Sequence, residues 1–111
     1  MSIAAGAQRP GDGASREFRG GAQRRQRPMV AADVATFPLD DGLVLYDLRS
    51  GQAHLLNSSA TQLWHLCDGT RTVARLARDA ADLFGISYRR ALSDVRDLVT
   101  EMHHADIIYL R

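Results

Sequence analysis

Beyond position 33 the apolar residues change their rhythm once. Three short runs come first: "VATFPL" at 34–39, "LVLYDL" at 43–48 and "QAHLL" at 52–56. They are rich in β-branched, aromatic and aliphatic residues, and each is short enough for one strand. Asp40-Asp41-Gly42 separates the first two and Arg49-Ser50-Gly51 the second pair. Both separators are glycine-containing hairpin signals, so the runs predict a three-stranded antiparallel meander. Pro38 has no N–H to give to a ladder and suits an outer strand. The third strand, near 52–56, is then the other outer strand.

From Asn57 the period becomes helical. Asn57, Ser58 and Ser59 are all good N-caps, and Ser59 with Gln62 could form a capping box. Ala60, Leu63, Trp64 and Cys67 follow at helical spacing, and Asp68-Gly69 ends the element. Thr72 caps a second stripe of Val73, Leu76, Ala77, Ala80, Leu83 and Phe84, which Gly85 stops. Ser87 caps a third, with Tyr88, Ala91, Leu92, Val95, Leu98, Val99 and Met102 inward. "DIIYL" then reads as a short extended piece. The last two long helices, joined at Gly85-Ile86-Ser87, resemble a helix-turn-helix pair. The expected fold class is α+β and winged-helix-like, a three-stranded antiparallel sheet followed by three helices.

Composition adds a boundary. Residues 1–30 hold five Gly, two Pro and six Arg. Such a segment buries too little apolar area to offset its ordering entropy, so 1–30 is expected to be a disordered tail and 31–111 the folded domain. The net charge of +1 conceals a split: six Arg against Asp12 and Glu17 give +4 in 1–30, and eight Arg against eleven acids give −3 in 31–111. A mildly acidic globular part argues against a nucleic-acid partner. No apolar run reaches the ~20 residues that span a bilayer, so no membrane contact is expected. Arg24-Arg25 has no hydrophobic segment behind it. The single cysteine, Cys67, forbids an intrachain disulfide and suits a reducing, cytoplasmic setting.

Candidate chemistry is sparse. His54, His65, His103, His104 and Cys67 fit no zinc spacing, and adjacent His103 and His104 point about 100° apart on a helix. Cys67, at the end of an apolar stripe, reads as a small buried hydrophobe. No nucleophile elbow or phosphate-cradling loop is present. The reading is therefore not an enzyme, with no catalytic residues, metal or cofactor. Two surfaces remain: the open edge of the third strand, which offers unpaired N–H and C=O groups to an extended peptide, and the polar face of the third helix. Between 87 and 102 that helix carries three Arg against Asp94, Asp97 and Glu101, a balance of zero. This suits a peptide of mixed charge better than a phosphate backbone.

The run "LLNSSATQLWHLCDGTRTVARLARDAADLFG" resembles the PqqD family, also called the RiPP precursor peptide recognition element. Leu55, Leu56, Asn57, Trp64, Leu66, Cys67, Asp68, Gly69, Thr72 and Val73 occupy the positions of its pattern, and the likeness extends over about 34–110. The resemblance implies a three-strand, three-helix module that binds the leader of a ribosomally made precursor peptide. In it the leader adds as an antiparallel strand beside the third strand, next to the third helix. A modifying enzyme such as a radical-SAM protein, a protease or a cyclase then receives it. On this chain the peptide-binding residues so implied are His54, Leu55 and Leu56 on the edge, faced by Arg90, Asp94 and Asp97.

Two other readings stay open on the sequence. One is a winged-helix nucleic-acid binder whose Arg-rich tail contacts phosphates. The other is a dimerising structural partner whose edge strand pairs with a second copy.

Overall fold

The computed structural model describes residues 21–111 throughout and, before them, the backbone of the strand Ala7–Gln8. Of the tail expected over 1–30, residues 1–20 otherwise lie outside the described residues. In chain order the elements are β1 (Ala7–Gln8), β2 (Pro28–Val30), β3 (Val34–Pro38), β4 (Leu43–Asp47), β5 (Ala53–Leu56), α1 (Ser58–Leu66), α2 (Val73–Phe84), α3 (Tyr88–His104) and β6 (Ile108–Leu110). The meander β3–β4–β5 is antiparallel, as the two hairpin signals require, and three helices follow it. Two additions were not expected. β1 pairs with β5, making a four-stranded sheet of order β1-β5-β4-β3, so the third strand of the meander, expected at the edge, is flanked on both sides; β2 pairs with β6 in a second, two-stranded sheet.

Pro38 is tolerated for a geometric reason. Leu39 N–H donates to Gly42 C=O at 3.0 Å, so 39 and 42 are a hydrogen-bonded pair and the next pair, Pro38 and Leu43, is not. The missing N–H of Pro38 therefore faces away from β4. Gly42 is required by close approach: a Cβ there would collide with the backbone carbonyl of Leu56 on β5.

Helix starts follow local capping. Asn57 Oδ1 accepts from Ala60 N–H at 2.9 Å, so the earliest of the three candidate caps starts α1, and Ser59 is buried inside it. Thr72 and Ser87 cap α2 and α3, accepting from Arg75 N–H and Arg90 N–H. Gly85 closes α2 in the left-handed conformation at φ 64°.

Residues 21–30, which composition assigns to the tail, run over the helices. Ala22 is buried, its N–H donating to Thr100 Oγ1 and its C=O accepting from Arg96 Nε, each at 2.8 Å. The carbonyls of Gln26 and Arg24 accept from Val73 N–H at 2.8 Å and Ala74 N–H at 3.0 Å. With Arg75 N–H on Thr72 Oγ1 and Leu76 N–H on Thr72 C=O, all four leading amides of α2 are satisfied. The strap is a cap for a buried helix end, which gives it an enthalpic reason to order that its composition does not show.

The Cys67-Asp68-Gly69 corner joins α1 to the second sheet. Cys67 C=O accepts from Val30 N–H at 3.0 Å and Gly69 N–H donates to Pro28 C=O at 2.9 Å. Gly69, at φ 84°, lies against Met29 and Arg111, where a side chain has little room. The core beneath is continuous: Leu43, Leu45 and Leu56 from the sheet meet Leu63, Trp64, Val73, Leu76, Val95, Leu98, Met102 and Ile108.

Candidate functional site: the far side of β5 and the adjoining helix

The main-chain direction of every residue in the meander follows from two hydrogen bonds. Asp47 N–H donates to Gln52 C=O at 2.8 Å, which makes 47 and 52 a hydrogen-bonded pair. Alternation along the register then makes Leu45–His54 and Leu43–Leu56 hydrogen-bonded pairs as well. The Leu39–Gly42 bond on the other side of β4 predicts the same parity. His54 and Leu56 thus spend their N–H and C=O groups on β4. Ala53 and Leu55 direct theirs away from β4, toward the side where β1 lies and Gln8 stands opposite Leu55.

Side chains alternate in the same way. His54 and Leu56 are buried, at 4% and 2% exposure, on the face shared with Leu45 and Leu43, whereas Leu55 is 45% exposed. Leu55 stands on the outer face in one row with Val44 and Phe37. Of the three edge residues implied by the resemblance, then, only Leu55 points its main-chain groups away from β4, toward β1; His54 and Leu56 shape the strand from below.

The helix beside this edge is α3, which β1 also touches. Its exposed strip of Arg89, Ser93, Arg96 and Asp97, with Leu92, Thr100 and Gly21, lines a hollow of about 430 Å³. Leu92 belongs to the core and gives the hollow an apolar floor. Asp97 is thus in the hollow. Arg90 and Asp94 do not line it; they sit about 100° farther round the helix and face each other, Arg90 Nε to Asp94 Oδ2 at 3.9 Å. Arg89, Ser93 and Arg96 belong to the same polar face in the sequence; which strip of it borders the edge depends on where Gly21 and Ala22 lie, a contact 78 residues away in sequence.

The other candidate groups have structural work. Cys67 is buried with its thiol pushed up to about 12, burial being the main cause and the charge of Asp68 the second. Its Sγ donates to Leu63 C=O at 3.3 Å. A thiol held protonated at neutral pH is a poor nucleophile. Among the described residues, no group of three or more His, Cys, Asp or Glu side chains is placed to hold a metal ion. Nor is any helix among them long and apolar enough to cross a membrane.

The family model for coenzyme PQQ synthesis protein D (PqqD) matches residues 42–108, more than half of the chain. The chain belongs to the PqqD family. A search of curated proteins gives no match. Two solved structures share the fold of this PqqD-family chain. A lasso peptide synthetase B1 complexed with the leader peptide has a TM-score of 0.67 at 22% identity, covering 75% of this chain and 98% of that one. TbiB1 in complex with the TbiA(beta) leader peptide has a TM-score of 0.66 at 16% identity, covering 72% and 93%. At these identities the likeness is one of fold.

Proposed function

We propose that the protein is a non-catalytic leader-recognition module. It takes the leader segment of a ribosomally synthesised precursor peptide as an antiparallel strand on the side of β5 away from β4, beside α3. It then presents that peptide to a modifying enzyme in the cytoplasm. The observation that carries this reading is the outward direction of the main-chain groups of Ala53 and Leu55, on the side of β5 that adjoins α3. The solved complexes of similar fold, both holding leader peptides, support it.

Each main-chain hydrogen bond to the guest contributes on the order of 1 kcal/mol net, and each apolar guest side chain buried about 1.5–3 kcal/mol. Ordering costs leave an affinity in the micromolar to nanomolar range. The outer edge and the hollow on α3 have different roles. Leu55 and Ala53 set register, whatever the guest sequence, and Arg89, Ser93, Arg96 and Asp97 select for guest side chains. Arg90, Asp94, His54 and Leu56 support these positions from neighbouring strips. A homodimer through the same edge would compete with the guest for the same amides.

The test is a titration of isotope-labelled protein with synthetic leader segments of precursor peptides. Amide shifts concentrated in 53–56 and 89–100 support the proposal. Shifts confined to 21–27, or none, overturn it.

A further inference from the structure

The edge assigned to the guest already carries a strand of this chain. Ala7 lies opposite Leu56 and Gln8 opposite Leu55, antiparallel, with β1 also next to α3. The parity of the meander turns the main-chain groups of Leu55 away from β4 and toward this side, so Gln8–Leu55 is the hydrogen-bonded pair and Ala7–Leu56 the other kind. β1 therefore has the orientation, the place and the hydrogen-bonding partner that a guest strand requires.

We infer that Ala7–Gln8 is a resident occupant of the guest edge, which an incoming leader displaces strand for strand. This rests on the reading of β5 as the leader edge. Two features suit a displaceable occupant. The pairing is two residues long, so it is weak enough to yield to a longer guest. Its tether is anchored close by, because Ala22 is clamped between Thr100 and Arg96 on α3, the helix that β1 adjoins. The connecting segment, 9–20, has 20 − 8 = 12 residues, a contour of about 40 Å at most. That exceeds the longest molecular dimension of 35 Å, so β1 can leave the edge without disturbing the strap. Anchoring on α3 keeps its effective concentration at the edge high.

An occupied edge has two consequences. Leader affinity is lowered by the fraction of molecules whose edge is already taken. The same occupancy shields the outer strand from pairing with other copies, the usual hazard of an open edge.

The test uses the full chain carrying Gln8→Pro, which removes the N–H that faces Leu55 and leaves the folded domain untouched. Amide exchange without any peptide comes first. The Leu55 amide is expected to exchange about tenfold faster in Gln8→Pro than in the parent chain, the scale of one or two net hydrogen bonds, while amides in α2 and α3 are unchanged. The leader peptide used to test the proposed function is then expected to bind Gln8→Pro about tenfold more tightly. Equal Leu55 exchange and equal affinity in the two chains would overturn the inference and leave leader binding standing. A peptide that shifts no amide in 53–56 of either chain overturns the leader reading, while the peptide-free exchange still decides whether β1 occupies the edge.

Discussion

Thr100 Oγ1 receives the N–H of Ala22 at 2.8 Å, from a residue 78 positions earlier, and Arg96 one turn back donates to the carbonyl of the same residue. This clamp fixes the N-terminal strap on α3 and sets one wall of the hollow beside the guest edge. Thr100→Val keeps the shape but removes the acceptor, leaving the buried amide of Ala22 unpaired. The expected loss is about 1–3 kcal/mol. It should appear as faster amide exchange at Ala22, Val73 and Ala74, since the strap also caps α2. Unchanged exchange at Val73 and Ala74 would show that the strap is held by other means.

Proline on β5 should separate the two faces of the strand. Leu55→Pro removes an outward N–H, so leader binding is expected to be lost while the hairpin persists. His54→Pro removes a bond to β4 and puts a ring into the buried face, so it is expected to destabilise the meander by about 3 kcal/mol or more. Thermal melting and leader titration of both variants decide the matter. Equal loss of stability in the two would contradict the assigned hydrogen-bond parity.

The β4–β5 turn should be sensitive to acid. Asp47 is buried, and its carboxylate accepts from Arg49 N–H at 2.9 Å and Ser50 Oγ at 3.0 Å. The Arg49 amide, foremost, and the Ser50 hydroxyl hold its pKa below the usual 3.8 despite the opposing effect of burial. A carboxyl whose folded pKa is depressed stabilises above the unfolded value, and that stability is lost as pH falls from about 3.8 through the folded pKa. Asp47→Asn should flatten the stability–pH curve as pH falls below about 3.8. A curve of unchanged slope would mean that another carboxylate dominates acid unfolding.

How much of this was readable from the chain depends on the range of the interactions involved. The hairpins, the caps at Thr72 and Ser87 and the stop at Gly85 are set by residues within four positions, and the sequence pattern locates them. Asn57 rather than Ser59 starts α1 because the helix begins directly off β5, and Ser59 is drawn into the core. The strap is different. Gly21, Ala22 and the arginines around 24–27 look like a solvated tail, and their order comes from the far ends of α2, α3 and β6. The face of α3 that adjoins the guest edge was hidden for the same reason. Arg90 and Asp94 are as polar as Arg89 and Ser93, and only the strap's path tells the two strips apart.

Trp64 tests whether the core and the site are separable. The residue is 5% exposed and packs in the cluster with Leu56, Leu63 and Cys67, on the inner face of β5. Trp64→Ala should cost about 3–5 kcal/mol, a large fraction of the stability of a domain this size. Because Leu56 rests on the same cluster, β5 is expected to loosen before α2 and α3 do. Leader affinity should then fall even at temperatures where the helices remain folded. Circular dichroism in parallel with leader titration distinguishes the cases: a variant that keeps both its melting temperature and its leader affinity would place Trp64 outside the support of the edge.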